Sequence, residues 1–397
     1  MKVLHISNSI KGGAGIAAFR IHQALRNSGV DSSVLTRWDS RPDEHIYQHQ
    51  RPLWTKILEH CGLPLGNNKY LRFADAIQAG TRTFPFALYD ISQNPLVREA
   101  DIIHLHWVGN ILNYKKFFSC IKKPILWTLH DMNPFMGMAH YEHDNELIQK
   151  DHRLSHIDAE IRNVKVNAYK NCSSLSIACL SYEIMKKSIA STSFCNRKHF
   201  LIRNCIPSNT FFPKNKIEMR IKMGIPQHKK VFLFISHAVE DTRKGFYLLL
   251  EAIRKMPENC IYVCVGRYSS ELNTENILQL GPIKQANELS TIYSCADALL
   301  LPSVEDNLPN TMLESLSCGV PVISFPIGGM RDIIQSGNNG ILAKSLGADS
   351  LRKAMMNFLS DGVDWNCKKI AKNAREEFAP HIIAEQYIKI YRNILDQ

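Results

Sequence analysis

Residues 297–325 read DALLLPSVEDNLPNTMLESLSCGVPVISF and contain one complete strand–helix–strand unit. The apolar run DALLLP has the length of a buried strand, and VPVISF is a second such run. Between them a polar, acidic loop turns through Pro309 into the helix NTMLESLSCG, which ends at Gly319. Strands joined by a helix pair in parallel, so this stretch predicts an α/β fold with a parallel sheet.

The same alternation extends in both directions. In the second half, the strands VFLFIS (231–236) and IYVCVG (261–266) flank an amphipathic helix. In the first half, strands are predicted at 2–7, 101–107 and 124–130. The segment FFPKNK interrupts the pattern, which indicates a linker near 205–215. The sequence therefore predicts two doubly wound α/β domains in tandem.

Composition supports a folded protein of two domains. The chain has 397 residues, of which 45% are hydrophobic and 21% charged, values typical of globular proteins rather than disordered or coiled-coil ones. No apolar run approaches the roughly 18–20 residues of a membrane-spanning helix, and polar residues interrupt the N-terminus too early for a signal peptide. The 11 cysteines form no CxxC pair, which favours reduced thiols in a cytoplasmic protein over disulfides or zinc.

The positive charge is concentrated in the first half. The net charge is +11 overall, with +9 in residues 1–210 and +2 in residues 211–397. Such a surplus suits nucleic acid, an anionic membrane surface or a phosphorylated partner. No nucleic-acid-binding motif accompanies it, which disfavours the first. The segment NYKKFFSCIKK (113–123) and the irregular stretch 45–95 are basic and aromatic, so they are interpreted either as a membrane-facing surface or as a solvated helix face.

Glycines follow the first predicted strand. Gly12 and Gly13 belong to a GGAG run that precedes a helix, and glycines there let a backbone approach a phosphate at the positive end of that helix. The spacing is not GxGxxG, and no acidic residue lies about 20 positions further on, which disfavours dinucleotide binding. The alternative is a tight turn with no ligand.

Two histidine patterns occur at the strands of the first half. His130 and Asp131 end an apolar strand, at the edge where open α/β sheets bind ligands, and they suit proton transfer or hydrogen bonding. The alternative is a histidine that is merely satisfied at a strand end. His104 and His106 share one face of a strand, but no third metal ligand is in reach by sequence, so a metal site is not favoured.

Four charged residues in the second half are candidates for contacts with a ligand. Arg243 and Lys244 lie between the first strand and the first helix of that half, a placement that suits a diphosphate clamp. Glu314 lies inside an apolar helix, where a carboxylate is costly to bury unless it holds something, such as a pair of ligand hydroxyls. Asp306 precedes it by eight positions.

The stretch 302–323 resembles the E-x7-E signature of family 4 glycosyltransferases, which have the GT-B fold. The resemblance covers nearly the whole chain, and the run WTLHDMNPF (127–135) is similar to a branch that builds bacterial surface polysaccharides. One departure is that the first acid falls on Asp306, which gives D-x7-E, while Glu305 stands one residue early.

This resemblance implies two Rossmann-like doubly wound domains that face each other across a cleft. Residues 1–210 would form the acceptor-side domain and residues 211–379 the nucleotide-sugar domain. The last helix, within 380–397, would cross back and pack on the first domain. Closure of the cleft would exclude water that otherwise hydrolyses the donor.

The implied function is that of a retaining hexosyl- or glycosyltransferase. It would move a sugar from a nucleotide-sugar donor to a saccharide or lipid-linked saccharide acceptor in O-antigen, capsule or exopolysaccharide biosynthesis. The place of action would be the cytoplasm, at the inner face of the cytoplasmic membrane. A non-catalytic nucleotide-sugar-binding protein and a GT-B-fold epimerase remain as alternatives, while nothing marks the pyridoxal lysine that a phosphorylase needs.

The resemblance also implies a role for each site residue. Glu314 would bind the ribose hydroxyls, and Asp306 the donor-sugar hydroxyls. Arg243 and Lys244 would neutralise the diphosphate, and His130 would lie beside the reacting sugar carbon. No DxD motif stands in a suitable loop, so no metal or other cofactor is expected. The remaining positions assigned to the site are Asp131 as a catalytic residue and Gly12, Gly13, Arg267, Ile283, Asn307 and Leu308 as donor-binding residues.

Overall fold

The computed structural model describes residues 1–55, 82–170, 172–268, 276–360 and 365–396. The predicted irregular stretch 45–95 lies partly outside these ranges. The chain divides into two compact units, the first formed by Met1–Arg203 with Ala384–Gln397 and the second by Asn204–Ile383. Each unit is built around its own parallel β-sheet.

Within the described residues, the sheet of the first unit has seven strands in the order β3-β2-β1-β4-β5-β6-β7. All neighbouring strands pair in parallel. The central strands predicted at 101–107 and 124–130 are long apolar runs, which is why the sequence pattern reveals them. Strand β3 has only three residues, too few to show a pattern. The strands are β1 (Lys2–Ser7), β2 (Asp31–Thr36), β3 (Ile46–Gln48), β4 (Ile102–Leu105), β5 (Ile125–Leu129), β6 (Leu175–Cys179) and β7 (His199–Leu201).

Helices lie between most of these parallel strands. The segment between β2 and β3 instead contains a 3-10 turn at Pro42–Glu44. The chain also forms a 3-10 turn at Asn133–Phe135, directly after β5. The helices before the second unit are α1 (Gly12–Asn27), α2 (Pro95–Glu99), α3 (Tyr114–Cys120), α4 (Glu142–Lys150), α5 (His152–Lys170) and α6 (Tyr182–Ala190).

The described part of the second unit repeats the design with a six-stranded sheet in the order β10-β9-β8-β11-β12-β13. All of its neighbouring strands are parallel. Its strands are β8 (Lys230–Ala238), β9 (Cys260–Arg267), β10 (Ile277–Gln279), β11 (Ala298–Leu301), β12 (Val322–Ser324) and β13 (Gly340–Leu342). Its helices are α7 (Lys216–Lys222), α8 (Phe246–Ile253), α9 (Ala286–Cys295), α10 (Asn310–Ser317), α11 (Gly328–Ile333), α12 (Ala348–Ser360) and α13 (Cys367–Phe378).

Aromatic side chains fill the core of the first unit. Trp127 of β5 is fully buried, and its ring centroid lies 5.7–5.9 Å from those of Tyr114, Phe118 and Tyr169, within the range of favourable aromatic pairs. Phe117 is buried in the same cluster. The interpretation of segment 113–123 as a basic and aromatic surface is therefore wrong for its aromatic residues, which face the core because the helix is amphipathic.

The glycine-rich segment after β1 is the first turn of a helix rather than a separate turn. Helix α1 begins at Gly12 and includes Gly13 and Gly15. A Cβ built on Gly15 would lie 2.5 Å from the carbonyl oxygen of Ser9, so only glycine allows the helix to start this close to the preceding loop.

The C-terminal helix α14 (Pro380–Leu395) supplies residues to the first unit. The Tyr391 hydroxyl lies 2.7 Å from Nδ1 of His104, and the Tyr387 hydroxyl lies 3.3 Å from the hydroxyl of Thr128. These tyrosines are fully buried, and burial raises the pKa of Tyr391 well above its ordinary value. The last helix thus completes a polar layer on β4 and β5.

The ten cysteines among the described residues are all free thiols, and seven of them are buried. Burial raises the pKa of several, for example that of Cys179 to about 12. Within the same described ranges, none of the helices combines the length and the apolar character that a membrane crossing requires.

Candidate functional site

The second sheet reverses its strand order between β8 and β11. From β8 the chain builds β9 and β10 on one side, and it then returns to place β11 on the other side. Open α/β sheets bind ligands at such a switch point, outside the carboxyl ends of the strands. Lys244 follows β8 and Asp306 follows β11, so the topology brings these predicted residues to one edge.

Lys244 and Asp306 make a direct ion pair. The Lys244 Nζ lies 2.6 Å from Asp306 Oδ2, and Asp306 Oδ1 accepts a 3.0 Å hydrogen bond from the backbone N–H of Asn307. The backbone N–H of Val304 donates to the carbonyl of Arg243 at 2.8 Å. Both oxygens of Asp306 are therefore engaged, and the two loops are tied together by their backbones as well.

Glycines allow these loops to approach closely. Gly245 has φ +67°, and a Cβ at this position would lie 1.8 Å from the carbonyl oxygen of Pro302. Gly328 has φ +46°, and its Cβ would lie 2.2 Å from the carbonyl oxygen of Asp306. Both the backbone conformation and the space exclude a side chain, so glycine fixes the 306–308 loop between the 242–245 turn and α11.

Glu314 lies in the second turn of α10 and is 5% exposed. Its Oε2 accepts a 2.9 Å hydrogen bond from the hydroxyl of Tyr293, which is itself fully buried. Asn307 and Leu308 are also buried, at 4% and 5% exposure. A carboxylate buried this deeply needs hydrogen-bond donors around it, and Tyr293 is one that sequence reasoning missed.

Arg267 and Ile283 lie on the side of the sheet toward β10. Arg267 is the last residue of β9 and is exposed, while Ile283 is partly exposed in the segment that follows β10. Arg243 is held by Asp241, with its guanidinium Nη2 at 2.7 Å from Oδ2. Lys244 thus contacts Asp306 directly, whereas Arg243 pairs with Asp241. Arg267 lies further along the carboxyl edge of the sheet, at the end of β9.

The first sheet has its own switch point, between β1 and β4. Helix α1 starts after β1, and a Cβ added at Gly12 or Gly13 would meet no other atom of the described residues within 4 Å. Packing therefore does not require glycine at these two positions, although Gly12 has φ +71°, which favours it. The space beside them is compatible with the predicted approach to a phosphate.

His130 and Asp131 follow β5, the second strand beyond β1. Asp131 Oδ2 lies 2.6 Å from His140 Nδ1, and Asp131 Oδ1 accepts the backbone N–H of Asn133 at 2.9 Å. Burial raises the pKa of Asp131, but His140, the Asn133 N–H and His130 together outweigh it, and the pKa lies below its ordinary value. Asp131 thus remains ionised at neutral pH and holds the loop that follows β5.

His130 itself is partly exposed, and its Nε2 lies 3.1 Å from Nδ1 of His106. Burial lowers the pKa of His130 to about 4, although the carboxylate of Asp131 works in the opposite direction. His130 is therefore neutral at physiological pH, and it acts as a hydrogen-bonding group rather than as a cation.

A buried lysine supports the same loop. Lys165 of α5 is fully buried, and its Nζ donates to the carbonyls of Asn133 and Gly137 at 2.6 and 2.7 Å. Burial lowers its pKa to about 7, against the effect of Asp158 and Asp131. Sequence reasoning missed this residue, although its position on the apolar face of α5 with Ile161 and Ala168 was a signal.

Three buried histidines can be grouped as a metal would require. The ligand nitrogens of His5, His104 and His106 lie within 4.8 Å of one another. The expectation of no third partner for His104 and His106 was wrong, because β1 pairs with β4 and places His5 opposite His104. Both nitrogens of His104 already bond to Tyr391 and Thr128, so these rings form a hydrogen-bonded polar layer.

The C-terminal half of the chain has a recognisable family relationship. Residues 215–377 match the family model of glycosyl transferases group 1. This match contains Lys244, Asp306 and Glu314, so it covers the switch point of the second sheet.

The chain also has relatives among curated proteins. The chain is 26% identical to an N-acetyl-alpha-D-glucosaminyl L-malate synthase of Bacillus anthracis, over 52% of the chain and 58% of that protein. It is 22% identical to an uncharacterized 41.2 kDa protein in the cps region of Klebsiella pneumoniae, over 99% of the chain and all of that protein. The first curated matches are aligned over only 36% and 58% of their own length.

Solved structures show the same architecture. HepE from Anabaena in complex with UDP-glucose has a TM-score of 0.66 and 16% sequence identity, over 99% of this chain and all of that one. At this identity the likeness is one of fold. The predicted pair of Rossmann-like α/β domains, the GT-B architecture, is confirmed.

Proposed function

We propose that this protein is a retaining glycosyltransferase that moves a sugar from a nucleotide-sugar donor to a saccharide or lipid-linked saccharide acceptor. The observation that carries the proposal is the group 1 match over residues 215–377, which includes the Lys244–Asp306 ion pair and the buried Glu314 at one sheet edge. The complex of the structural neighbour HepE with UDP-glucose supports a nucleotide sugar as the donor class.

The leaving group sets the main chemical requirement. Cleavage of a glycosyl–phosphate bond develops negative charge on the diphosphate, and fixed cations and dipoles stabilise that charge. Lys244 is 31% exposed at its side chain, so it can reach a ligand while Asp306 holds it in place. Arg243 is the second cation, and the amino end of α10 contributes its helix dipole.

Asp306 acts, in this proposal, by positioning Lys244. An aspartate is one methylene shorter than the glutamate of the E-x7-E signature, and both of its oxygens are already bonded, to Lys244 and to the Asn307 N–H. The resemblance assigns the donor-sugar hydroxyls to Asp306 with help from the backbone of Asn307 and Leu308, and in this proposal that backbone would bind them chiefly. Glu314 would bind the ribose hydroxyls from inside α10.

Nucleotide binding is the direct test of this function. Purified protein is screened by thermal shift against UDP, GDP, dTDP, ADP and CMP and their common sugars, because a ligand of the folded state raises the melting temperature by mass action. We expect a shift with one base that is lost in Glu314→Ala. Sugar transfer is then assayed with that donor, and binding without any transfer would point to the non-catalytic alternative.

Turnover is expected to persist without divalent metal. Lys244 and Arg243 supply the positive charge that a metal ion would otherwise bring to a diphosphate. The measurement is the transfer rate after EDTA treatment and desalting, compared with the same sample supplemented with Mg²⁺ or Mn²⁺. Rates that agree within about twofold fit the proposal, whereas a strict requirement for either ion contradicts it.

We further propose that the reaction belongs to surface polysaccharide biosynthesis and takes place at an anionic membrane surface. The relative encoded in a cps region supports the pathway, and the net charge of +9 in residues 1–210, with Lys115 and Lys116 exposed, supports the surface. We expect cosedimentation with vesicles that contain anionic lipid, weakened by added salt. If as much protein sediments with purely zwitterionic vesicles, the proposed anionic membrane surface is contradicted.

A further inference from the structure

Three histidines from separate parts of the chain form a continuous line of hydrogen bonds. His5 Nδ1 lies 2.9 Å from His106 Nε2, and His106 Nδ1 lies 3.1 Å from His130 Nε2. His5 is in β1, His106 follows β4, and His130 follows β5. His5 and His106 are buried and His130 is partly exposed, so this histidine chain runs from the core of the first unit to the carboxyl edge of its sheet.

The surroundings keep these rings neutral. Among the described residues, His22, His104 and Asp131 face the histidine chain. The tyrosines of α14 pack on His104. Burial, followed by the neighbouring histidines, lowers the pKa values of His5 and His106 well below the ordinary value. Each ring therefore carries a single N–H at neutral pH.

Because the rings are neutral, the histidine chain has only two possible arrangements of its hydrogen bonds. His106 uses both of its nitrogens, so one must donate and the other must accept. Both hydrogen bonds then point the same way, either outward from His5 to His130 or inward from His130 to His5. The direction determines which nitrogen of His130 carries its proton.

His5, at the buried end of the histidine chain, distinguishes the two arrangements. His5 Nε2 is buried and has no hydrogen-bond partner within the part of the chain that the structure describes. In the inward arrangement this nitrogen would be a buried N–H donor without an acceptor, a group that native structures seldom contain. In the outward arrangement Nδ1 donates to His106, and Nε2 is left only with a lone pair.

We propose that His5 and His106 are positioning residues that hold His130 as the Nδ1–H tautomer. His5 Nδ1–H donates to His106 Nε2, and His106 Nδ1–H donates to His130 Nε2. His130 Nε2 is thereby occupied as an acceptor, and the other ring nitrogen is a donor. In this tautomer His130 is a hydrogen-bond donor at Nδ1, and its Nε2 is not available to take up a proton.

The contribution of this donor group to a bound substrate rests on the proposed glycosyltransfer function. The tautomer itself is a property of the free protein and can be measured without ligand or turnover. Failure of the tautomer assignment and failure of the function are therefore separate results.

The test is NMR of the full chain with ¹⁵N-labelled histidine. Long-range ¹H–¹⁵N correlations distinguish protonated from unprotonated ring nitrogens, and the His130 signals are identified by their loss in His130→Gln. We expect, at pH 7 and without ligand, a protonated Nδ1 and an unprotonated Nε2 for His130. A protonated Nε2, or an even mixture of tautomers, would overturn the proposal.

Variants test whether the histidine chain causes this tautomer. In His106→Phe, and independently in His5→Phe, we expect His130 to become a mixture of tautomers, because the fixed donor or its orientation is lost. The matched control is His22→Gln, which changes a buried histidine of the same layer that bonds to Ser32 and the Glu44 carbonyl. If folded His106→Phe keeps a pure Nδ1–H tautomer, the assigned role is wrong. The wild-type spectrum decides the direction even if a variant fails to fold.

Discussion

Replacement of Glu314 by alanine is expected to lower kcat/KM for the donor by about 100-fold or more. A carboxylate that accepts from two ribose hydroxyls makes two hydrogen bonds to a charged group, each worth about 1.5–3 kcal/mol, and about 1.4 kcal/mol is tenfold. Because Glu314 is buried in α10, water does not replace it easily. The measurement is steady-state kinetics together with the thermal shift by the nucleotide that binds wild type.

Two further variants separate binding from packing. Glu314→Gln keeps the size of the side chain and can still accept from Tyr293, so it removes mainly the charge. Glu288→Ala changes an exposed acid in the neighbouring helix α9 and is expected to leave kcat/KM unchanged. Near-normal kcat/KM in folded Glu314→Ala would contradict the role assigned to this residue.

Replacement of Lys244 by alanine is expected to cost about 2–4 kcal/mol of transition-state stabilisation, or roughly 30- to 1,000-fold in kcat/KM. The variant loses a cation at the leaving diphosphate. It also leaves the carboxylate of Asp306 without the ammonium group 2.6 Å away, so an uncompensated negative charge would face the ligand. The loss should appear mainly in kcat if Lys244 acts on charge that develops during the reaction.

The ion pair offers a stricter test of this prediction. If Asp306 acts only by positioning Lys244, the effects of Lys244→Ala and Asp306→Ala should be strongly non-additive in a double-mutant cycle. Lys255→Ala, at an exposed lysine beyond α8, serves as the matched control and should leave kcat unchanged. Independent, additive losses would instead assign Asp306 a contact of its own with the donor.

The sequence by itself determined the α/β class, the tandem arrangement of two parallel sheets and the position of the candidate residues at strand ends. These features follow from local patterns, since apolar runs of strand length alternate with amphipathic helices. In a parallel sheet, the carboxyl ends of all strands lie at the same edge. The short edge strands β3 and β10, of three residues each, and the helix α4 were missed because they are too short or too polar to show a period.

Only the tertiary structure decided which side chains meet. Lys244 and Asp306 are 62 residues apart in the chain, His5 and His106 are 101 apart, and His104 and Tyr391 are 287 apart. These contacts depend on the strand order, on the register that places His5 opposite His104, and on the return of α14 to the first unit. No local pattern encodes them, because the free energy that selects them comes from packing between distant segments.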